Sequence, residues 1–367
     1  MRIGILTQAL NGNYGGVLQN YALQQVLKQM GHNPVTIDRH ISRPESIIRN
    51  FAKIILRNIH GNFDSSMLTK GEKQSICARQ FEFIEQNIDR IGPVISQTDF
   101  DRIVGDASFD AFIVGSDQCW RPCYSANIAN YFLDFAVKRS VKRIVYAASF
   151  GVDKWEFSEA QTNDVINSAK AFDAVSVRED SGKDLCAKYL GINAEWVLDP
   201  TMLLGVEHFR MFVDISETQT PFITEYLLED SPERTALIEK VKHLSGINQC
   251  ENNNKSKLFK RFTPISKYNN IAIEEWISNI ANAELVVTDS FHGAVFSILF
   301  NKPFIVRLNK IRGNTRIESL LKDFGLENCI CSDVESLNIP IIDWKGVKEH
   351  LAKRRAQSFN FLKNSLS

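Results

Sequence analysis

The sequence contains no run near the ~18 consecutive apolar residues that a membrane-spanning helix needs. It carries no excess charge either, with 43 Lys+Arg against 43 Asp+Glu in 367 residues. The first absence excludes a helix embedded in a bilayer. The second argues against a duplex-DNA or other non-specific nucleic-acid partner, whose binding depends on a basic surface that neutralises phosphates. Glycine and proline are sparse, at 19 and 10, as in an ordinary globular chain. No internal repeat with a period of ~20–50 residues is visible, so a solenoid is not expected. The nucleotide fingerprints G-x-G-x-x-G and G-x-x-x-x-G-K-[ST] are missing, and so is the G-x-S-x-G elbow of serine hydrolases. The seven cysteines (77, 119, 123, 186, 250, 329 and 331) are odd in number and scattered. That pattern suits reduced thiols in a cytoplasmic enzyme better than a disulfide framework. No H-E-x-x-H or doubled C-x2-C spacing occurs, and no metal site or cofactor is expected. Met1 and Arg2 lead straight into a strand-like run, so no signal peptide is expected.

What is present is an alternation of short apolar runs with amphipathic segments, the pattern of βαβ units that build parallel sheets covered by helices. Strands are predicted near 2–7, 34–38, 110–115, 142–148, 172–177 and 194–198. A helix over about 16–30 carries Leu23, Val26, Leu27 and Met30 on one face and stops at Gly31. The second half predicts a strand near 222–228 and a helix from about 231 with Ser231 as N-cap and Pro232 at N1. It then predicts a helix over 272–283, a strand to Thr288, a helix over 291–301 and a strand over 303–307. Residues 248–257 (NQCENNNKSK) have no apolar pattern and read as a polar loop. The length suits two α/β domains, 1–200 and 201–343, joined near Asp199-Pro200. A basic helix over 344–367 is drawn as crossing back to brace the first domain. The stretch 46–59 (SIIRNFAKIILRNI) sets Ile47, Ile48, Phe51, Ile54, Ile55 and Ile59 on one face and three basic residues elsewhere. It reads either as a helix packed on its own sheet or as one lying on an anionic membrane face.

Four segments could carry chemistry. The turn after the first strand holds Asn13, Tyr14, Gly15 and Gly16. Its glycines allow either a close ligand approach beside free helix-start N–H groups or simple chain reversal. The run at 110–122 sets Asp117, Gln118 and Trp120 at the carboxyl end of a strand, the edge where ligands of α/β sheets bind. There Trp120 serves either as a sugar-stacking platform or as core. Arg178 stands at the end of another strand, able to hold a carboxylate or phosphate or to pair with Glu179 or Asp180. The segment 285–295 turns a strand sharply into a helix, with Ser290, Phe291, His292 and Gly293 in the turn. The positive helix end favours the neutral, proton-accepting form of a histidine. Asp289 either orients that ring or caps the helix.

Six ordered segments, 13–24 (NYGGVLQNYALQ), 112–122 (FIVGSDQCWRP), 142–151 (KRIVYAASFG), 175–182 (VSVREDSG), 196–204 (WVLDPTMLL) and 285–306 (LVVTDSFHGAVFSILFNKPFIV), resemble the polysaccharide pyruvyl transferase family. Arg316, within 313–326 (GNTRIESLLKDFGL), resembles a further family position. The resemblance implies two Rossmann-like domains facing across a cleft, similar to GT-B glycosyltransferases. It implies transfer of pyruvate from phosphoenolpyruvate to sugar hydroxyls, on a free or lipid-linked acceptor near the inner membrane face. By resemblance Arg178 and His292 contact phosphoenolpyruvate, and Arg316, Ser290, Phe291, Gly293, Gly15 and Gly16 are expected beside them on the donor. Asp117 joins Arg178 and His292 in catalysis, and Asn13, Tyr14, Gln118 and Trp120 face the acceptor. A nucleotide-sugar glycosyltransferase and a non-catalytic glycan-binding relative are the rival expectations.

Overall fold

The computed structural model describes the chain except residues 42–52, 54, 56–61, 64–66, 215–219, 229–231, 254–258, 261–262 and 309–312. The stretch 46–59 therefore lies outside the described residues apart from Lys53 and Ile55, and the Ser231 cap lies outside them too.

The first half contributes β1 (Arg2–Leu6), β2 (Asn33–Arg39), β3 (Asn62–Phe63), β4 (Arg90–Val94), β5 (Ala111–Val114), β6 (Lys142–Ala148), β7 (Ala174–Val177) and β8 (Glu195–Trp196). All but β3 form one parallel sheet in the order β4-β2-β1-β5-β6-β7-β8. The second half contributes β9 (Phe222–Tyr226), β10 (Gln249–Asn252), β11 (Phe259–Lys260), β12 (Leu285–Thr288), β13 (Phe304–Arg307) and β14 (Ile330–Cys331). These strands, without β11, form a second parallel sheet ordered β10-β9-β12-β13-β14. The short β3 and β11 pair antiparallel and link the two halves.

Sequence explains the central strands directly. β5 reads Ala-Phe-Ile-Val and β12 reads Leu-Val-Val-Thr, each buried at every position, as strands covered by helices on both faces must be. β10 corrects the expected loop: Gln249, Cys250, Glu251 and Asn252 extend the second sheet parallel to β9. An edge strand covered on few sides needs no apolar pattern, so periodicity cannot find it. In each sheet the strand order reverses once, between β1 and β5 and between β9 and β12. The crevice beyond such a switch point, at the carboxyl ends of the strands, is where ligands of open α/β sheets bind.

The first helix, Tyr14–Gln29, starts two residues before Gly16 and so takes both glycines into its first turn. It is buried almost all round because it lies between the two halves. One apolar cluster runs from Ile5 and Leu23 through Met202 and Phe209 to Trp276 and Phe296, so the halves share a core. The last helix, Trp344–Leu366, returns across the joint. Its Ser358 hydroxyl accepts the Leu198 N–H at 2.9 Å, Arg354 donates to the Trp196 carbonyl at 3.2 Å, and Arg355 donates to the Met202 carbonyl at 2.8 Å. Among the described residues, no helix is long and apolar enough to cross a membrane. All seven cysteines are free thiols.

Candidate active site

Five charged or titratable side chains from separate elements converge where the carboxyl edges of the two sheets meet. Asp117 follows β5, and Arg178 follows β7 directly. Asp199 caps the short helix Pro200–Leu203, accepting from the Thr201 N–H at 3.0 Å and its hydroxyl at 2.7 Å. His292 sits in the first turn of the helix Phe291–Phe300 that follows β12, and Arg316 in the first turn of Thr315–Phe324. All five are buried.

Arg178 is the centre of the group. Its Nη1 donates to Asp199 Oδ2 at 2.8 Å and its Nη2 to Asp117 Oδ1 at 3.0 Å. Its guanidinium carbon lies 4.3 Å from the centroid of the Phe291 ring, so the second half packs directly on the arginine. His292 Nε2 is 3.6 Å from Asp199 Oδ2. Arg316 Nη1 is 3.9 Å from Asp117 Oδ1. Among the described residues, Arg178 Nε, Arg316 Nε and His292 Nε2 are buried without a hydrogen-bond partner, so the site has donor capacity left for a ligand.

Burial alone would raise both carboxyl groups. For Asp117, the charges of Arg178, His292 and Arg316 outweigh it and hold the group below its ordinary value. For Asp199, His292, Arg178 and the Thr201 hydrogen bond hold it well below the usual carboxylate range. Burial opposes the charge on Arg178, but Asp117, Asp199 and Glu179 raise it above the ordinary arginine value. Arg316 is less well compensated: burial and then the neighbouring Arg178 bring it down to about 10. Glu179 also points inward, its Oε1 accepting from the Ser149 hydroxyl at 3.1 Å and the N–H groups of Phe150 and Gly151 at 2.7 and 3.2 Å. Burial pushes that carboxyl up.

The first helix reaches the same place. A Cβ on Gly15 would collide with the His292 imidazole, so the backbone of Tyr14–Gln29 presses on the ring and only glycine fits. The first helical bond runs from Val17 N to the Asn13 carbonyl at 2.9 Å, which leaves the N–H groups of residues 14–16 outside the ladder. The helix after β12 repeats this, with Ala294 N bonded to the Ser290 carbonyl at 3.1 Å. Neither Asn13 nor Ser290 caps its helix with a side chain. Gly293 packs against Thr288, where a Cβ would clash.

Three expectations are corrected. Trp120 is fully buried, stacked on Phe132 with centroids 5.0 Å apart, and its indole N–H donates to the Tyr131 carbonyl at 2.9 Å. No ring face is left for a sugar. Tyr14 is likewise core: it stacks on Trp276 at 5.5 Å and its hydroxyl donates to the Ile271 carbonyl at 3.0 Å. Asp289 does not supply the carboxylate beside His292 Nε2. That group is Asp199, while Asp289 Oδ1 accepts the Leu228 N–H at 2.6 Å. Gln118 is half-buried and Asn13 exposed. Sequence reasoning gives Asp199 only as the joint between domains and Glu179 only as a pairing partner for Arg178, so it misses Asp199 in the site and the inward turn of Glu179 onto Ser149, Phe150 and Gly151. The D-P-T motif signals an N-cap for one carboxylate oxygen and gives no sign of what the other oxygen meets. Among the described residues, no three His, Cys, Asp or Glu side chains converge to hold a metal ion.

Two parallel α/β sheets, with a charged site at their apposed carboxyl edges, define a GT-B-like protein of two Rossmann-like domains. Two solved structures share this architecture. UDP-GlcNAc 2-epimerase from Neisseria meningitidis, bound to UDP-GlcNAc, matches with a TM-score of 0.51 at 7% identity, covering 100% of this chain and 99% of that one. Arabidopsis thaliana UGT89C1, complexed with UDP-L-rhamnose, matches with a TM-score of 0.54 at 8% identity, covering 98% and 97%. At such identities the likeness is one of fold. No curated protein matches the chain. The family model for polysaccharide pyruvyl transferase matches residues 13–310, and the chain belongs to that family.

Proposed function

We propose that the chain moves the pyruvyl group of phosphoenolpyruvate onto hydroxyls of a sugar in a cell-surface polysaccharide or its lipid-linked precursor. This reading places it in the cytoplasm, at or near the inner membrane face. The observation that carries it is the pairing of two buried guanidinium groups with a buried imidazole at the meeting edge of the two domains. Phosphoenolpyruvate presents a carboxylate and a phosphate on one small carbon frame, and that charge pattern matches such a site.

In this reading Arg316 is the main cation for the donor, since among the described residues the carboxylate paired with it is Asp117, at 3.9 Å. Arg178 spends two of its donors on Asp117 and Asp199 and offers Nε to the donor. The free N–H groups of residues 14–16 and 291–293 add positive dipole ends, with Ser290, Phe291 and Gly293 shaping the second of these. A proton delivered to C3 of the donor leaves C2 electron-poor, and a sugar hydroxyl adds there as it gives up its own proton. Phosphate then departs with the C2–O electron pair, and a second hydroxyl of the same sugar closes the cyclic ketal. The balance is phosphoenolpyruvate plus a diol giving a pyruvyl ketal plus inorganic phosphate. His292 is the proton carrier of this sequence, and Asp117 holds Arg178 and Arg316 toward the reacting centre.

The test is thermal denaturation with phosphoenolpyruvate beside uridine, guanosine and cytidine sugar nucleotides, on the wild type and on Arg316→Met. A ligand at ~100 times its Kd stabilises the folded state by about 2.7 kcal/mol. A stabilisation by phosphoenolpyruvate that Arg316→Met loses is the expected result. Stabilisation by a sugar nucleotide alone would replace pyruvyl transfer with glycosyl transfer.

A further inference from the structure

With Trp120 in the core, the loop after β5 still presents one exposed aromatic ring. Tyr124 ends the short turn Pro122–Tyr124 and is 41% exposed. Among the residues whose side chains are described it is the only exposed Phe, Tyr or Trp ring. Single exposed apolar groups are common on protein surfaces, so exposure alone assigns nothing. Three further observations do.

The ring is held in place. The Arg121 guanidinium lies 5.1 Å from its centroid. Arg121 is itself buried, its Nε and Nη2 donating to the two carboxylate oxygens of Glu156 at 2.8 and 3.0 Å. Arg121 Nη1 reaches Gln118 Oε1 at 3.3 Å and the Tyr124 hydroxyl at 3.5 Å. A side chain fixed in this way loses little rotamer freedom when a ligand lands on it. Its loop also reaches the charged cluster: it begins at Asp117, and Gln118, to which Arg121 ties the ring, lies against Gly151, whose carbonyl in turn faces Gly313, three residues before Arg316. Finally, a hydrogen-bonding group stands beside it: Gln118 is half-buried and tied to the same Arg121. A flat apolar face with polar neighbours is what a pyranose ring needs, the face for its C–H side and the amide for its hydroxyls.

We infer that Tyr124 is the platform on which the acceptor's pyranose ring stacks, with Arg121 and Glu156 as the positioning pair beneath it. The inference rests on the pyruvyl-transfer reading only in calling that sugar the acceptor. It is tested by labelling the tyrosine ε carbons with 13C and identifying the Tyr124 resonance by its loss in Tyr124→Phe. The protein is then titrated with the methyl pyranosides of glucose, galactose, mannose and their N-acetyl amino counterparts, with and without phosphoenolpyruvate. At least one sugar is expected to move that resonance, with a Kd that rises about tenfold in Tyr124→Ala and stays near the wild-type value in Tyr124→Trp. Arg121→Ala should weaken the same sugar while leaving the phosphoenolpyruvate Kd, measured by calorimetry, unchanged. A Kd unaltered by Tyr124→Ala, or no pyranoside that moves the resonance, overturns the platform. Failure of the wild type to bind phosphoenolpyruvate overturns the donor reading instead and leaves the sugar titration valid. Tyr124 is exposed, so the folding of its variants is expected to be intact and is checked by circular dichroism.

Discussion

Asp199→Asn keeps the shape of a fully buried side chain and removes its charge. In the native protein that charge stands 2.8 Å from Arg178 Nη1 and 3.6 Å from His292 Nε2. At an effective dielectric constant of ~20, the arginine contact alone corresponds to about 6 kcal/mol of gross attraction, most of which offsets desolvation. Removing one partner of a buried pair costs about 3–5 kcal/mol. The lower end applies here, because Arg178 keeps Asp117 at 3.0 Å and an asparagine oxygen can still accept from Thr201. At roughly 2 °C per kcal/mol for a chain of this size, the melting temperature should fall by about 6 °C. Urea unfolding at pH 7 measures the difference, and the double variant with Arg178→Met should cost at least ~1 kcal/mol less than the sum of the singles. The pH dependence has a definite sign. Asp199 is held well below the usual carboxylate range in the folded protein, so in the unfolded chain it takes up its proton at a higher pH, near ~3.9. Its contribution is complete above that value and is lost as the pH falls below it toward the folded value. Wild type and variant should therefore draw together as the pH falls from about 4 toward 2. A gap under ~1 kcal/mol at pH 7, or one that stays constant into acid, refutes the reasoning.

His292→Ala should retain phosphoenolpyruvate binding and lower kcat by about 10²–10⁴, the range of a lost proton carrier. A near-normal kcat in the folded variant removes His292 from that role. Gly15→Ala forces a methyl group into the imidazole and should cut kcat by roughly 10²-fold with the fold intact, through misplacement of the ring. Steady-state kinetics beside far-ultraviolet circular dichroism decides this. Trp120→Ala should cost about 3–5 kcal/mol in denaturant unfolding, because the ring fills the core against Phe132 and Phe150. The acceptor KM of its folded fraction should stay unchanged, and a raised KM would return Trp120 to the sugar site.

The α/β architecture was legible because short apolar runs such as 111–114 and 285–287, fit for a sheet covered on both faces, alternate with amphipathic helical segments. Asp117, Arg178 and His292 were legible as candidates because each follows a strand or opens a helix at a carboxyl edge, and Arg316 only through the family resemblance. That they meet was not legible, since their contacts join residues far apart in the chain. Asp199 escaped for the same reason: its cap on Thr201 is local, while its contacts with Arg178 and His292 are not. Trp120 and Tyr124 show the limit at a strand end, where no periodicity says which ring turns inward. The partner that buries Trp120, Phe132, lies on a later turn with no pattern linking the two. The edge strand β10 was invisible because a polar strand carries no hydrophobic signal.

The contact between Gly15 and His292 has a consequence for heredity. Position 15 tolerates only a hydrogen atom because position 292 holds an imidazole that the first helix overlies. A descendant that gains a side chain at position 15 must shrink or turn away the residue at 292, or lift the helix. The two positions, one near each end of the paired domains, should therefore change together across relatives or not at all.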